Sequence, residues 1–199
     1  PGCDQDGDIG HPCVEKGCVK RGYHYIPLKD WESAHPEDGT PPDPVIGQVI
    51  GDYLVVDRIG AGGFGRVYLS LQAPLYGLRG ALKLLELPSE NALLTQALSE
   101  KFQGEAEALA QLTHPNIVRL LKYGMKGNVP YLVMESVDNA DTLRREIYLR
   151  AKEKKGFTHE QLRMIFDQLL NGLEAAHAKE IIHRDMKPEN LMLTTGSRG

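Results

Sequence analysis

At 199 residues the chain is long enough for one ordinary domain with a small appendage, and too short for several. Its 41% hydrophobic and 25% charged residues give a globular balance and exclude a wholly disordered or membrane-embedded chain. A net charge of −4 leaves no basic excess for tracking phosphates, so nucleic acid is not an expected partner.

Residues 1–29 are rich in Cys, His and Gly. All three cysteines, Cys3, Cys13 and Cys18, fall here, and an odd, clustered set argues against a complete disulfide framework. It suits a reducing, cytoplasmic setting or a metal site. With His24 the thiols form C-x9-C-x4-C-x5-H, which could complete a tetrahedral zinc shell, His11 being an alternative ligand. The other reading is a leader whose thiols bind no metal. Residues 30–46 mix Pro36, Pro41, Pro42 and Pro44 with Glu32, Glu37, Asp38 and Asp43, and are expected to form an extended linker. No run of the ~18 apolar residues needed to span a membrane occurs, nor does a basic-then-apolar secretory leader.

From Val45 onward the pattern is that of a folded domain. Tyr53–Val56 and Val67–Leu69 read as two strands joined by a glycine turn, and Ala81–Leu85 as a third. Leu98, Phe102, Ala106, Leu109 and Leu112 then recur at helical spacing until His114-Pro115 ends the helix. Ile117–Leu121 and Tyr131–Met134 are short strand candidates, and a helix is expected near Asp141–Lys152. Thr158 and Gln161 fit a capping box. The helix they open should bury a wide face of Leu162, Ile165, Phe166, Leu169, Leu170 and Leu173. Strands with one helix, followed mainly by helices, imply an α+β chain in two lobes.

Three groups carry chemistry. Gly60-Ala61-Gly62-Gly63-Phe64-Gly65-Arg66-Val67 fits G-x-G-x-x-G-x-V, in which glycine lets main-chain amides approach anionic oxygens. A dinucleotide fold would open a helix here, whereas strand-like Val67-Tyr68-Leu69 follows. Lys83 sits in an apolar strand; it is either an edge lysine facing water or a phosphate-holding ammonium that needs an acidic partner. Glu105, one turn from Phe102 and Leu109, is the candidate, and Glu107 points elsewhere. In Ile181–Leu193, apolar pieces bracket a polar loop. There Asp185 can accept a hydroxyl proton, Lys187 can neutralise a phosphoryl group, and Asn190 offers Mg2+ a neutral oxygen. His183 is expected to be a packed structural histidine. Arg184 is left between a phosphate and a local carboxylate as its partner.

These segments resemble the eukaryotic-type protein kinase superfamily over residues 52–193, with the motifs in family order. Gly60–Val67 resembles the glycine-rich loop, Gly80-Ala81-Leu82-Lys83 the V-A-I-K strand, and Tyr131–Glu135 the fifth strand and hinge. Glu105, nine residues before His114-Pro115-Asn116, falls at the αC glutamate. His183–Asn190 resembles H-R-D-x-K-P-x-N, with the lysine typical of serine/threonine kinases.

The resemblance implies an α+β kinase-like fold, with residues 47–135 as N-lobe and 136–199 as partial C-lobe. It implies ATP, held by Ile59, Gly60, Ala61, Gly62, Gly63, Phe64, Gly65, Val67, Ala81, Lys83, Glu105, Met134, Glu135, Val137 and Met192. Mg2+ would sit on Asn190, and Asp185, Lys187 and Asn190 would be catalytic. The partner would be a protein bearing Ser or Thr hydroxyls. Gly80 departs from the pattern, standing where a larger apolar residue is usual.

The D-F-G aspartate, a second Mg2+ ligand, has not appeared by Gly199, and the sequence opens on Pro1 rather than Met. A longer kinase is therefore expected, and this stretch alone is expected to transfer little phosphate. The alternatives are a non-catalytic nucleotide-binding or interaction module, and a zinc-dependent adaptor built on residues 1–29.

Overall fold

The structure, a computed structural model, describes residues 6–34, 43–62, 65–86, 92–137 and 140–194. It divides into two compact units, Pro1–Glu107 with Leu120–Ser136, and Ala108–Arg119 with Val137–Gly199.

The first unit is built on strands β1 (Val49–Ile50), β2 (Tyr53–Gly62), β3 (Gly65–Gln72), β4 (Arg79–Leu85), β5 (Leu120–Lys126) and β6 (Val129–Glu135). Among the described residues these form one antiparallel sheet in the order β1-β2-β3-β4-β6-β5. Side chains alternate between its faces. On one face Tyr68, Leu82, Tyr131 and Val133 are buried with Ile46 and Ile50. On the other, Leu85 and Leu132 receive Phe102 and Ala106 of helix α3 (Ala92–Ala110), whose apolar stripe supplies the contact. Each fully buried aliphatic side chain contributes about 1.5–3 kcal/mol.

Gly80 belongs to the first of these faces. A Cβ there would lie 2.6 Å from Val133 Cγ1 and 3.4 Å from Tyr53 Cε1. The larger residue that the resemblance leads one to expect would press on Val133 and Tyr53, which already fill its space.

The leader is part of this unit. Pro12 bridges His24, Cys13 N donates to Tyr23 O at 2.9 Å, and Cys13, Cys18 and Tyr23 bury one another. Inside this stretch lies a single helical turn, α1 (Lys16–Val19). His24 N donates to Gly47 O at 2.7 Å, and Ile26 packs on the buried clusters of the sheet. The expected extended linker is corrected in its described parts. Residues 28–34 form helix α2 (Leu28–Ala34) against β2, with Asp30 buried, and Asp43–Ile46 is a turn closed by Ile46 N to Asp43 O at 3.0 Å. Asp43 finds partners on the sheet in Arg58, Arg66 and Tyr68, whereas Asp30 is buried with its Oδ2 lacking a hydrogen-bond partner among the described residues, and burial pushes its carboxyl up. Residues 35–42 lie outside the described residues.

The second unit holds α4 (Leu143–Lys152) and α5 (His159–His177), with β7 (Asp141–Thr142) paired to β8 (Met192–Leu193). The capping box at Thr158 and Gln161 is present. Two expectations shift. Ile117–Arg119 is not strand, because Ile117 N turns back to His114 O at 3.0 Å after Pro115, and β5 starts only at Leu120. The apolar face of α5 is buried at Ile165, whereas Leu162, Phe166 and Leu170 are exposed. Segment 111–117 reaches only one side of α5. Gly172 meets Asn116 there, and Asn116 Nδ2 donates to Gln168 Oε1 at 3.2 Å.

Candidate active site

In the first unit the register of three strands builds the nucleotide candidates. Val67 lies opposite Lys83 and Lys83 opposite Leu132, while Leu69 pairs with Ala81 and Ala81 with Met134. Directly opposed residues share a face, so Val67, Ala81, Lys83 and Met134 line one side of the sheet. The glycine turn continues the same ladder through Gly60 opposite Val67, Ala61 opposite Arg66 and Gly62 opposite Gly65. Ile59 falls in the register shift between Arg58 and Gly60 and is exposed. Gly63 and Phe64 lie outside the described residues.

The glycines differ in what they do. Among the described residues a Cβ on Gly60 would meet nothing within 4 Å, so that side of the glycine is open to close approach. Gly65 has φ +155°, and a Cβ would strike the Leu84 carbonyl. Its glycine is required by strand pairing, before any ligand is considered.

Lys83 is 16% exposed, and its Nζ lies 2.6 Å from Glu105 Oε1 and 2.9 Å from Oε2. The ammonium also stands 5.5 Å from the centre of the Phe102 ring. An edge lysine would be solvated; this one is held at the sheet face by a two-oxygen clasp and an aromatic wall. Glu107 is exposed and takes Gln103 Nε2 at 2.8 Å, so the helix presents Glu105, and not Glu107, to the sheet.

In the second unit both ends of the polar loop are tied. Ile181 N donates to Ala176 O at 3.0 Å after Glu180 takes φ +60°, and Leu143 N donates to Leu191 O at 2.8 Å beside the β7–β8 pair. Between these anchors Lys187 Nζ sits 2.8 Å from Asp185 Oδ2, while Asn190 Nδ2 donates to Asp185 O at 2.8 Å and to its Oδ2 at 3.1 Å. The Lys187 hydrogen bond, helped by Asn190, holds the Asp185 carboxyl below the usual carboxylate range. The same bond raises Lys187 above the usual ammonium range. At neutral pH this is an ionised carboxylate beside a charged ammonium. His183 is corrected: it is exposed, not packed, and acts within the loop as acceptor from Asp185 N through O at 2.8 Å and Nδ1 at 3.3 Å. Arg184 adopts φ +61° at the sharpest point of the loop.

The remaining sequence-predicted residues have defined places. Glu135 ends β6 opposite Gly80, Val137 is half-buried just after it, and Met192 is exposed on β8 while its neighbour Leu193 is buried. Cys13 and Cys18 are buried in the leader's apolar cluster, His24 Nδ1 pairs with Gly22 O at 3.1 Å, and Cys3 lies outside the described residues. Among the described residues no three His, Cys, Asp or Glu side chains gather so as to hold a metal ion.

Residues 53–198 match the family model of the protein kinase domain. The chain belongs to the protein kinase family. It is 35% identical over 150 residues to the serine/threonine-protein kinase pkn2 of Myxococcus xanthus, covering 75% of this chain and 17% of that protein. It is 34% identical over 151 residues to the probable serine/threonine-protein kinase PknB of Lactococcus lactis, covering 75% and 23%. A probable myosin light chain kinase of Dictyostelium discoideum is 33% identical over 146 residues, covering 73% and 42%. The matched stretch is thus well under half the length of each of these relatives. Among the described residues no helix is long and apolar enough to cross a membrane.

Two contacts, one in each unit, are not foreseen in the sequence. The Phe102 ring beneath Lys83 was assigned to the core alone, although its place one turn before Glu105 could have signalled the contact. The double hold of Asn190 on Asp185 had no signal beyond their five-residue spacing.

Proposed function

We propose that this protein is part of a serine/threonine kinase that transfers the γ-phosphoryl group of ATP to Ser or Thr hydroxyls of protein substrates in the cytoplasm. The observation that carries this reading is Asp185 held by Lys187 and Asn190 in one short loop. An ionised carboxylate with a lowered pKa is a weak base. Its first task is therefore to accept a hydrogen bond from the incoming hydroxyl and aim its oxygen at phosphorus, taking the proton late, as the new O–P bond forms. Lys187 stays charged beside it and offers its ammonium to the phosphoryl oxygens. In the first unit Lys83, braced by Glu105, is suited to hold phosphate oxygens on the face that Val67, Ala81 and Met134 present to adenine.

The donor set fits Mg2+. Asn190 directs its amide nitrogen at Asp185, which leaves Oδ1 as a neutral oxygen for a hard cation. Bound there, Mg2+ would supply charge neutralisation for the phosphates. The zinc reading of the leader has no comparable support.

The test uses the full-length protein, labelled ATP and a generic Ser/Thr protein substrate. Asp185→Asn should lower turnover by about 10²–10⁴-fold while leaving ATP affinity within about twofold. A wild-type protein that binds ATP yet phosphorylates nothing would favour the non-catalytic module.

A further inference from the structure

One carboxylate near the end of the Pro/acidic segment 30–46 gathers both arms of the glycine hairpin. Asp43 is only 10% exposed. Its Oδ2 accepts from Tyr68 Oη at 3.1 Å and Arg66 Nη1 at 3.4 Å, and pairs with Arg58 Nη1 at 3.8 Å, while Oδ1 accepts Val45 N at 3.0 Å. Arg58 lies two residues before Gly60, and Arg66 immediately follows Gly65. Arg58 opposes Tyr68 and Ala61 opposes Arg66, so the three donors share one face and Val67, facing Lys83, occupies the other.

Asp43 is itself fixed. Gly47 N donates to Val55 O at 2.8 Å and Val55 N to Gln48 O at 2.9 Å, and Ile46 and Ile50 are buried against the same sheet face. A hairpin whose tip is glycine has little stiffness of its own. Here its root is tied from behind to a rigid segment by a largely buried charge, and charge-assisted hydrogen bonds are the strong kind. Arg66 is also tied to Tyr68 and, through Nε, to Glu86, so loss of Asp43 loosens the hairpin without releasing it.

We propose that Asp43 is a positioning residue that holds the two arms of the glycine hairpin in place beside Lys83, and thereby sets affinity for the phosphates of a nucleotide. It acts through Arg58, Arg66 and Tyr68, and touches no substrate. The inference rests on the nucleotide-binding reading given under the proposed function. It adds that the residues before the kinase domain tune that site.

The experiment compares Asp43→Asn with wild type in the full-length protein. KM for ATP should rise about five- to tenfold with kcat within about twofold. By calorimetry, ADP should bind about five- to tenfold more weakly, while adenosine, which lacks phosphates, should bind as before. Asp43→Glu should recover part of the ADP affinity. A merely structural role would weaken ADP and adenosine alike; that result, or no change in either, overturns the proposal. Should Asp43→Asn fail to fold, Arg58→Met removes one exposed tie and should weaken ADP about twofold with adenosine unchanged, and no selective loss there overturns the proposal equally. The calorimetric arm needs no turnover, so a wild type that binds ADP but transfers no phosphate would sink the kinase reading and leave this one standing. A wild type that does not bind ADP would sink both.

Discussion

Lys83 finds its partner 22 residues away, while the partners of Asp185 all lie within five. The first site exists because strand pairing and a packed helix bring distant residues to one sheet face. Its ammonium is mostly buried and clasped by two oxygens. The second is a loop whose main chain and side chains bind one another, with Asp185 64% exposed and Lys187 47% exposed. Positioning by packing and positioning by local hydrogen bonding should fail differently. A core change far from Lys83 can disturb the first site, whereas the second should respond only to residues of its own loop.

The sharpest way to break this contrast is at the clasp. In the full-length protein Lys83→Met should cut phosphotransfer by about 10²–10³-fold, because one preorganised charge on the transferring group is lost. Methionine keeps the stem packed near Phe102, so the melting temperature should hold. Glu105→Gln should cost less, and Lys83→Met/Glu105→Gln should be no worse than Lys83→Met alone, since the glutamate acts through the lysine. Additive losses would mean that Glu105 has a separate role.

A packing test comes next in size. Gly80→Ala places a methyl 2.6 Å from Val133 Cγ1 in the sheet that carries Ala81 and Lys83. It should cost about 1–3 kcal/mol by thermal melting. Gly77→Ala, where nothing lies within 4 Å, should stay within about 0.5 kcal/mol. If the two melt alike, the sheet absorbs the extra carbon and the first site is less dependent on packing than its geometry indicates.

The same contrast explains what was legible in the sequence. The pairing of Asp185 with Lys187 and Asn190 is local, so that part of the loop was legible from its own residue types and the motif they resemble. The Lys83–Glu105 pair could be named from helical periodicity, but its aromatic wall could not. The Thr158 cap was readable for the same local reason as the loop. The failures are of two kinds: the turn at His114–Ile117 and the exposure of His183 are local, and the others are long-range. Residues 30–34 and 43–46 read as part of an extended acidic linker, since nothing local shows that Arg58, Arg66 and Tyr68 on two strands converge on Asp43. The breadth of the buried face on α5 depends on which neighbours reach it, and periodicity alone says only that the face is apolar. His183 was expected in a core because two isoleucines precede it, yet Ile182 is itself exposed.

The smallest predicted effect sharpens the comparison from the alkaline side. Burial, with the Asp43 charge next, pushes the Tyr68 phenol from 10.0 up to about 12. The folded state therefore favours the neutral phenol. The stability this lends is fully present below pH 10 and is lost as pH rises towards about 12, where the unfolded chain has already released its proton. Wild type should show a melting temperature that declines across that window, and Tyr68→Phe should remove part of the slope because no proton is left to lose there. The loop should add only a small decline in the same window: its pair raises Lys187, so that stability too is lost as pH rises through the folded ammonium's range, but the pair is exposed and screened by solvent. Lys187→Met should therefore flatten the alkaline profile less than Tyr68→Phe does. A flattened profile in that variant, with Tyr68→Phe following wild type, would place the pH-sensitive stability in the loop and reverse the contrast.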